Sequence, residues 1–187
     1  MHEYLTAEIA DDGDAFLNIS GGVLSVNEWI VLKTRGVDGK EEVLGKFVRW
    51  KEVSDYIGTL ANSSMTYVVE FKNDFNPEGT LTLPTKAAGI VFRGVGDAKV
   101  SLNYTGELKL GIDATFENMN VGTVKAVSGK NLTLIDAELA ASGAVALTGT
   151  LFMEDATLDS DSKINVVNIV SNSAGNRILY GGNRLPE

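Results

Sequence analysis

From about residue 65 to its end, the chain is a succession of very short segments in which apolar and polar residues alternate. Examples are Tyr67-Val68-Val69-Glu70-Phe71, Thr80-Leu81-Thr82-Leu83, Glu107-Leu108-Lys109-Leu110, Asn131-Leu132-Thr133-Leu134 and Thr150-Leu151-Phe152-Met153. A period of two places one set of side chains on one face of a strand and the other set outside. Strands this short do not build a sandwich of long hairpins, and the two-residue turns of an antiparallel meander are mostly missing. Gly, Asn, Asp or Ala-Ser lies between the segments instead. The pattern predicts an all-β solenoid, a parallel β-helix whose coils each supply a few short strands with one inward face. One coil cannot bury its own apolar face, so stability accumulates only by stacking. Taking Thr80, Glu107, Asn131 and Thr150 as equivalent starts gives spacings of 27, 24 and 19 residues. Corners are expected at glycines, among them Gly89, Gly94, Gly96, Gly106, Gly111, Gly122, Gly129, Gly143 and Gly149.

Two other stretches precede this one. Residues 1–45 read as a short-stranded β segment, the tail of a preceding unit or a cap. Phe16-Leu17-Asn18-Ile19 and Val23-Leu24-Ser25-Val26 flank Gly21-Gly22, and a run from Trp29 to Leu32 follows. Gly36-Val37-Asp38-Gly39-Lys40 signals a turn, because Asp-Gly supplies the positive φ of a tight reversal. Residues 46–187 hold one helix followed by the β-helix coils, so the chain is either these two parts or one continuous domain. Trp50, Val53, Ile57 and Leu60 recur at helical spacing, which predicts an amphipathic helix over about 50–61 that either caps an end of the stack or links two β units.

Composition narrows the function classes. With 44% hydrophobic and 22% charged residues, the chain is expected to fold. A formal net charge of −9 argues against a nucleic-acid partner, since phosphate neutralisation needs a surplus of Lys and Arg. It equally disfavours docking on anionic lipid, and no apolar run is long enough to span a bilayer. The absence of cysteine removes disulfides, thiolate catalysis and cysteine-based metal sites. Met1-His2-Glu3-Tyr4-Leu5 lacks a basic region followed by an apolar stretch, so no signal peptide is read there.

A search for chemistry yields weak candidates. The single histidine, His2, sits at the chain start, where general-base or metal-triad roles are not expected. Asp113 with Glu117, and Asp136 with Glu138, are the nearest carboxylate pairs; the second pair would share a strand face, as a glycosidase acid and base require. Asp11-Asp12-Gly13-Asp14 and Asp159-Ser160-Asp161 are oxygen-rich but lack the closing glutamate of an EF-hand. Gly94-Val95-Gly96-Asp97 lacks the remaining residues of a dinucleotide or phosphate loop, and Gly181-Gly182-Asn183 reads as a plain turn. Trp29, Tyr4, Tyr104 and Tyr180 read as either core or contact residues, and Trp50 as helix packing. No catalytic, cofactor-binding or metal-ligating residue is assigned, and no cofactor is expected.

The run Phe47-Val48-Arg49-Trp50-Lys51-Glu52-Val53 leads into the helix, and Tyr67 to Phe71 follows. Then come Gly79-Thr80-Leu81-Thr82-Leu83-Pro84, Gly89-Ile90-Val91-Phe92-Arg93-Gly94 and Ala114-Thr115-Phe116-Glu117-Asn118-Met119-Asn120-Val121. This order resembles the repeat modules of large secreted bacterial surface proteins with a right-handed, pectate-lyase-like parallel β-helix. In those modules a Trp-led helix is followed by a strand, a Leu-Pro coil and a coil ending in a Phe-Glu-Asn turn. Ile164 to Tyr180 resembles their closing coil. The resemblance implies an extracellular or cell-surface location and a non-catalytic structural or adhesive role, with carbohydrate or a cell-surface protein as partner. Two alternatives remain open: a carbohydrate-binding or polysaccharide-degrading β-helix, and a module that self-associates through its coil ends.

Overall fold

The computed structural model describes residues 17–20, 23–26, 30–60, 62, 64–77, 81, 83, 85–180 and 183–184. The N-terminal elements are β1 (Leu17–Ser20), β2 (Val23–Val26), β3 (Ile30–Arg35), β4 (Glu41–Phe47) and α1 (Trp50–Leu60). The stack is built from β5 (Thr66–Phe71), β6 (Gly89–Gly94), β7 (Val100–Leu102), β8 (Glu107–Leu110), β9 (Asp113–Val124) and β10 (Ala126–Gly129). It continues through β11 (Leu132–Ala141), β12 (Val145–Glu154), β13 (Thr157–Ser160), β14 (Ile164–Ser171), β15 (Arg177–Tyr180) and β16 (Asn183–Arg184). The long strands are bent, and each serves two faces.

The chain is a parallel β-solenoid of about six turns. Its first face stacks β5, β6, residues 113–117 of β9, residues 132–135 of β11, the second half of β12 and the second half of β14, all parallel. A second face stacks β7, the second halves of β9 and β11, then β13 and β15. The third stacks β8, β10 and the first halves of β12 and β14. On the first face Tyr67, Ile90, Ala114, Leu132, Leu151 and Ile169 are in register, so the coils run 23, 24, 18, 19 and 18 residues.

This register corrects the equivalences read from sequence. Asn131 and Thr150 do precede aligned residues, Leu132 and Leu151. Glu107, however, pairs with Ala126 on the third face and is not equivalent to Asn131. Thr80 lies outside the described residues. The mistake has a physical source: each coil carries three alternating segments of like composition, and coil length is not constant.

The corners differ from expectation too. Between the first and second faces the turn is made by Asn118 (φ 53°), Asp136 (φ 44°) and Asp155 (φ 47°), not by glycine. Asn and Asp are the non-glycine residues that tolerate this left-handed region. Asn118 adds a bond of its own, donating from Nδ2 to the carbonyl oxygens of Gly94 at 3.0 Å and Gly96 at 3.3 Å. Gly89 and Gly94 lie within β6 and Gly122 within β9, whereas Gly149 stands at the bend of β12 between third and first faces, and Gly111 and Gly143 lie between strands, as expected of corners. One glycine is indispensable where the backbones meet: Gly129 has φ 145°, and a Cβ there would stand 2.1 Å from the Leu110 carbonyl oxygen.

The interior is one apolar column. Val69, Phe92, Phe116, Leu134 and Met153 stack on the first face, Leu102, Val121, Leu139 and Leu158 on the second, and Leu108, Val127 and Val145 on the third. All are buried. Each such side chain contributes roughly 1.5–3 kcal/mol relative to exposure. Phe71, Phe92 and Phe116 form a ring stack, with centroids 6.2 Å and 5.2 Å apart.

At the N-terminal end β3 turns the stack antiparallel, pairing β5 on one side and β4 on the other. The β3–β4 reversal uses Gly39 at φ 78°, its N–H donating to the Gly36 carbonyl at 3.0 Å, as the Asp-Gly signal predicts. Helix α1 begins where Glu52 accepts from the Val48 and Arg49 N–H groups, both at 3.3 Å, satisfying donors that a helix start leaves open. Trp50, Val53 and Ile57 are buried in the same cluster as the solenoid interior, and Trp50 meets Phe92 at 5.6 Å. Leu60, the fourth member of the helical stripe, is 37% exposed. The strand pair read at 16–26 is β1 with β2, antiparallel, with Leu17 opposite Val26. Trp29 lies outside the described residues.

Candidate functional site

Coil length locates the surface features. In the shorter coils the corner between first and second faces is a single residue, whereas six residues, 94–99, lie between Arg93 and Val100 on the corresponding path through β6 and β7. With residues 72–74 of the coil before, these extra residues line an open groove of about 690 Å³. Its walls are Lys72, Asn73, Asp74 and residues 95–100, including Asp97 and Lys99. Asp74 accepts the Ser101 N–H at 2.8 Å and Asn118 holds Gly94 and Gly96, so both sides of the groove are tied to the stack. Lys99 reaches from the groove to Asp136 at 3.3 Å and Glu138 at 3.2 Å. Partial burial opposes the charge on its ammonium, but the bonds to Glu138 and Asp136 outweigh that and hold its pKa above the ordinary lysine value.

A second cluster covers the outer side of the first face. Glu70, Arg93 and Glu117 stand opposite one another on β5, β6 and β9. Arg93 bonds Glu117 at 3.0 Å, Glu70 at 3.1 Å and both oxygens of Glu41 at 3.1 Å. Lys33 meets Glu70 at 2.6 Å, and Arg35 meets Glu41 at 2.8 Å. The bond from Arg93, with help from Arg35, holds the Glu41 carboxyl down at about 2 despite partial burial. Burial opposes the Arg93 charge, but Glu41 and Glu117 more than compensate, and its pKa lies above that of a free guanidinium. Three cations, Lys33, Arg35 and Arg93, face three carboxylates, Glu41, Glu70 and Glu117, so the network is balanced within itself. It stitches the β3–β4 hairpin to the coils and offers no net charge to a ligand.

No protein-family model, no curated protein and no solved structure matches the chain.

The carboxylate pairs singled out in the sequence have different fates. Asp113 accepts from Asn131 at 2.9 Å and Glu117 is held by Arg93. They sit on one outer strand face four residues apart, about 13 Å along the strand. Asp136 and Glu138 do converge, with Asp136 at a corner, but on Lys99 rather than across a cleft from each other. Glycoside cleavage needs two carboxyls flanking a bound sugar. Of Asp159-Ser160-Asp161, the first two residues end strand β13, and Ser160 is buried with its hydroxyl donating to the Gly143 carbonyl at 3.1 Å. Among the described residues no group of three or more His, Cys, Asp or Glu is placed to hold a metal ion. His2, Tyr4, Asp11-Asp12-Gly13-Asp14 and Gly181-Gly182 fall outside the described residues.

Of the aromatic candidates, Trp50 packs the helix, as read from sequence. Tyr104 is core: buried, its hydroxyl donates to the Glu107 carbonyl and accepts from the Leu81 N–H, both at 3.3 Å. Tyr180 is 43% exposed. Of Gly94-Val95-Gly96-Asp97, the last three residues form part of a wall of the groove. The charge network was missed in the sequence, yet a signal was present. Glu70, Arg93 and Glu117 are spaced 23 and 24 residues apart, the length of the first coils, with alternating sign.

Proposed function

We propose that the chain is a non-catalytic structural or adhesive module of a secreted or cell-surface bacterial protein, of the pectate-lyase-like, right-handed β-helix kind. The observation that carries this reading is the balanced outer network: six charged side chains on the broad first face bind one another and fix the coils. An enzyme of this fold gathers unpaired acids and bases in a groove. Here the charges on the face are used for rigidity, which suits spacing and display. The test is incubation of the purified chain with acidic and neutral polysaccharides, with and without calcium. Unchanged polymer length is expected, and any new reducing or unsaturated ends would sink the reading.

A second reading is carbohydrate binding without cleavage at the groove formed by residues 72–74 and 95–100. The lining favours it: Lys72, Asn73, Asp97 and Lys99 offer donors and acceptors along an open trough, not the apolar enclosure of a small-molecule pocket. Retention on immobilised polysaccharide that disappears in Lys72→Ala and Asn73→Ala variants would support it. Equal retention of both variants would not.

A further inference from the structure

The two ends of the solenoid are finished differently. At the N-terminal end the outermost strand β4 carries Glu41, Glu42 and Lys46, its pairing with β3 is irregular between Leu32 and Lys33, and α1 lies over the interior. Charges and a bulge are the usual protections of a strand edge. At the other end β14 has the sequence INVVNIVS, without charge, proline or glycine, and among the described strands it pairs only β12. Ile169, in register with the buried Leu151, is 49% exposed, and Val167 at the bend of the strand is 77% exposed. The parallel winding does not continue over the second face, because β16 returns antiparallel on β15. Among the described residues, nothing pairs the outer edge of β14, and the apolar column lies behind it.

We propose that two copies of this chain join tail to tail by antiparallel pairing of β14 with β14. The reading stands on the fold alone, and the display role neither requires nor excludes it. A two-fold axis between Val167 and Asn168, at the bend, sets the arm 164–166 of one copy against the arm 169–171 of the other. Val166 of each copy then meets Ile169 of the other, Ile164 meets Ser171, and the two apolar columns become one. Self-pairing of an uncharged strand places no like charges opposite each other. At its ends the charges are complementary. Lys163 precedes the strand, and Asp155, bonded by Ser173 just beyond it, stands at the far end. The antiparallel pairing brings Lys163 of each copy beside Asp155 of the other. Because the contact is isologous it closes at two copies and does not grow into a fibre.

Sedimentation velocity over a dilution series tests this with the whole chain and three variants. The unaltered chain is expected to run as a concentration-dependent dimer. Val167→Lys brings two ammonium groups together at the axis and should raise the dissociation constant by roughly tenfold or more, with unchanged thermal unfolding because Val167 is exposed. Lys163→Glu should weaken the dimer at low salt and lose that effect at high salt. Val43→Lys, at the opposite end, should dimerise like the unaltered chain. A monomer at every concentration, polymers that lengthen with concentration, a Val167→Lys dimer of undiminished strength, or a loss of dimer in Val43→Lys would each overturn the proposal.

Discussion

Replacing Phe92 with alanine is the sharpest probe of how this stack holds together. Phe92 is fully buried and touches three other rings: Phe116 at 5.2 Å, Trp50 at 5.6 Å and Phe71 at 6.2 Å. These belong to the next coil, the helix and the preceding strand. Removing a buried phenylalanine costs about 3–5 kcal/mol, and ring pairs of this geometry add about 0.5–1.5 kcal/mol beyond area. Part of that addition is already contained in the first figure, so the expected loss for Phe92→Ala is about 4 kcal/mol. Phe92→Leu keeps most of the volume and loses the ring contacts, for about 1–2 kcal/mol.

The location of the damage matters more than its size. Each coil of a solenoid contacts only its neighbours, so a defect in β6 should loosen the elements that β6 joins and spare those beyond. Amide hydrogen exchange of Phe92→Ala should therefore rise in α1, β5, β6 and the first half of β9 while the second-face half of β11 and all of β13 stay protected. Urea unfolding should become broader, with the first step in the N-terminal part. If exchange rose equally from residue 66 to residue 160, or if the variant lost under 1 kcal/mol in a single sharp transition, nearest-neighbour stacking would be the wrong account.

The Glu41 carboxyl is depressed to about 2 from 4.5, so its pairing stabilises the fold above the unfolded value and is lost as pH falls from about 4.5 through 2. After allowance for its partial exposure this is about 1–2 kcal/mol, and Glu41→Gln should flatten the thermal-melting profile in that window while leaving a lower midpoint at neutral pH. Asn118→Ala forces a Cβ residue without a compensating side-chain bond into φ 53° and removes both bonds to the Gly94 and Gly96 carbonyls. A loss of about 2–3 kcal/mol is expected, with Asn118→Gly losing less because it keeps the backbone relaxed; equal losses in denaturant titrations would show that the corner geometry is not the cause. Thr34 is buried with its hydroxyl unpartnered, so Thr34→Val should stabilise by about 1 kcal/mol, and a destabilised variant in the same titration would reveal a bond to that hydroxyl.

Much of this fold is legible as strand density. Tyr67 to Phe71, Glu107 to Leu110 and Asn131 to Leu134 alternate as half-buried strands do, and the structure places all three on solenoid faces. The helix is legible because Trp50, Val53 and Ile57 repeat at its period, although exposure of Leu60 shows that the covered stripe is one residue shorter than the pattern suggests. Register was not legible. Leu108 and Leu132 have similar local sequence but lie on different faces, and only pairing across coils tells them apart. The corners were hidden for a different reason: glycine marks permissive backbone, yet Asn118, Asp136 and Asp155 make the tight turn, and Asn118 and Asp155 also bond their neighbours from it. The Lys99 cluster was half legible, since Asp136 and Glu138 drew notice and their cation, two coils away, did not.

Stacking also explains where chemistry can reside in such a chain. An inward position is fixed by the residues above and below it, so Leu134 must suit both Phe116 and Met153. An outward position on a regular face is constrained by cross-coil pairs, as Glu70, Arg93 and Glu117 constrain one another. Freedom remains only where a coil departs from the regular path. The first two coils are longer than the rest by about five residues, and in the second the excess is spent at the corner that lines the groove beside Lys72 and Lys99. The last coil departs by exposing its apolar column at Ile169. A binding role is thus drawn to the groove and an assembly role to the β14 edge, at opposite ends of the molecule. Substitutions at Lys72 and at Val167 should act independently, because no coil contacts both.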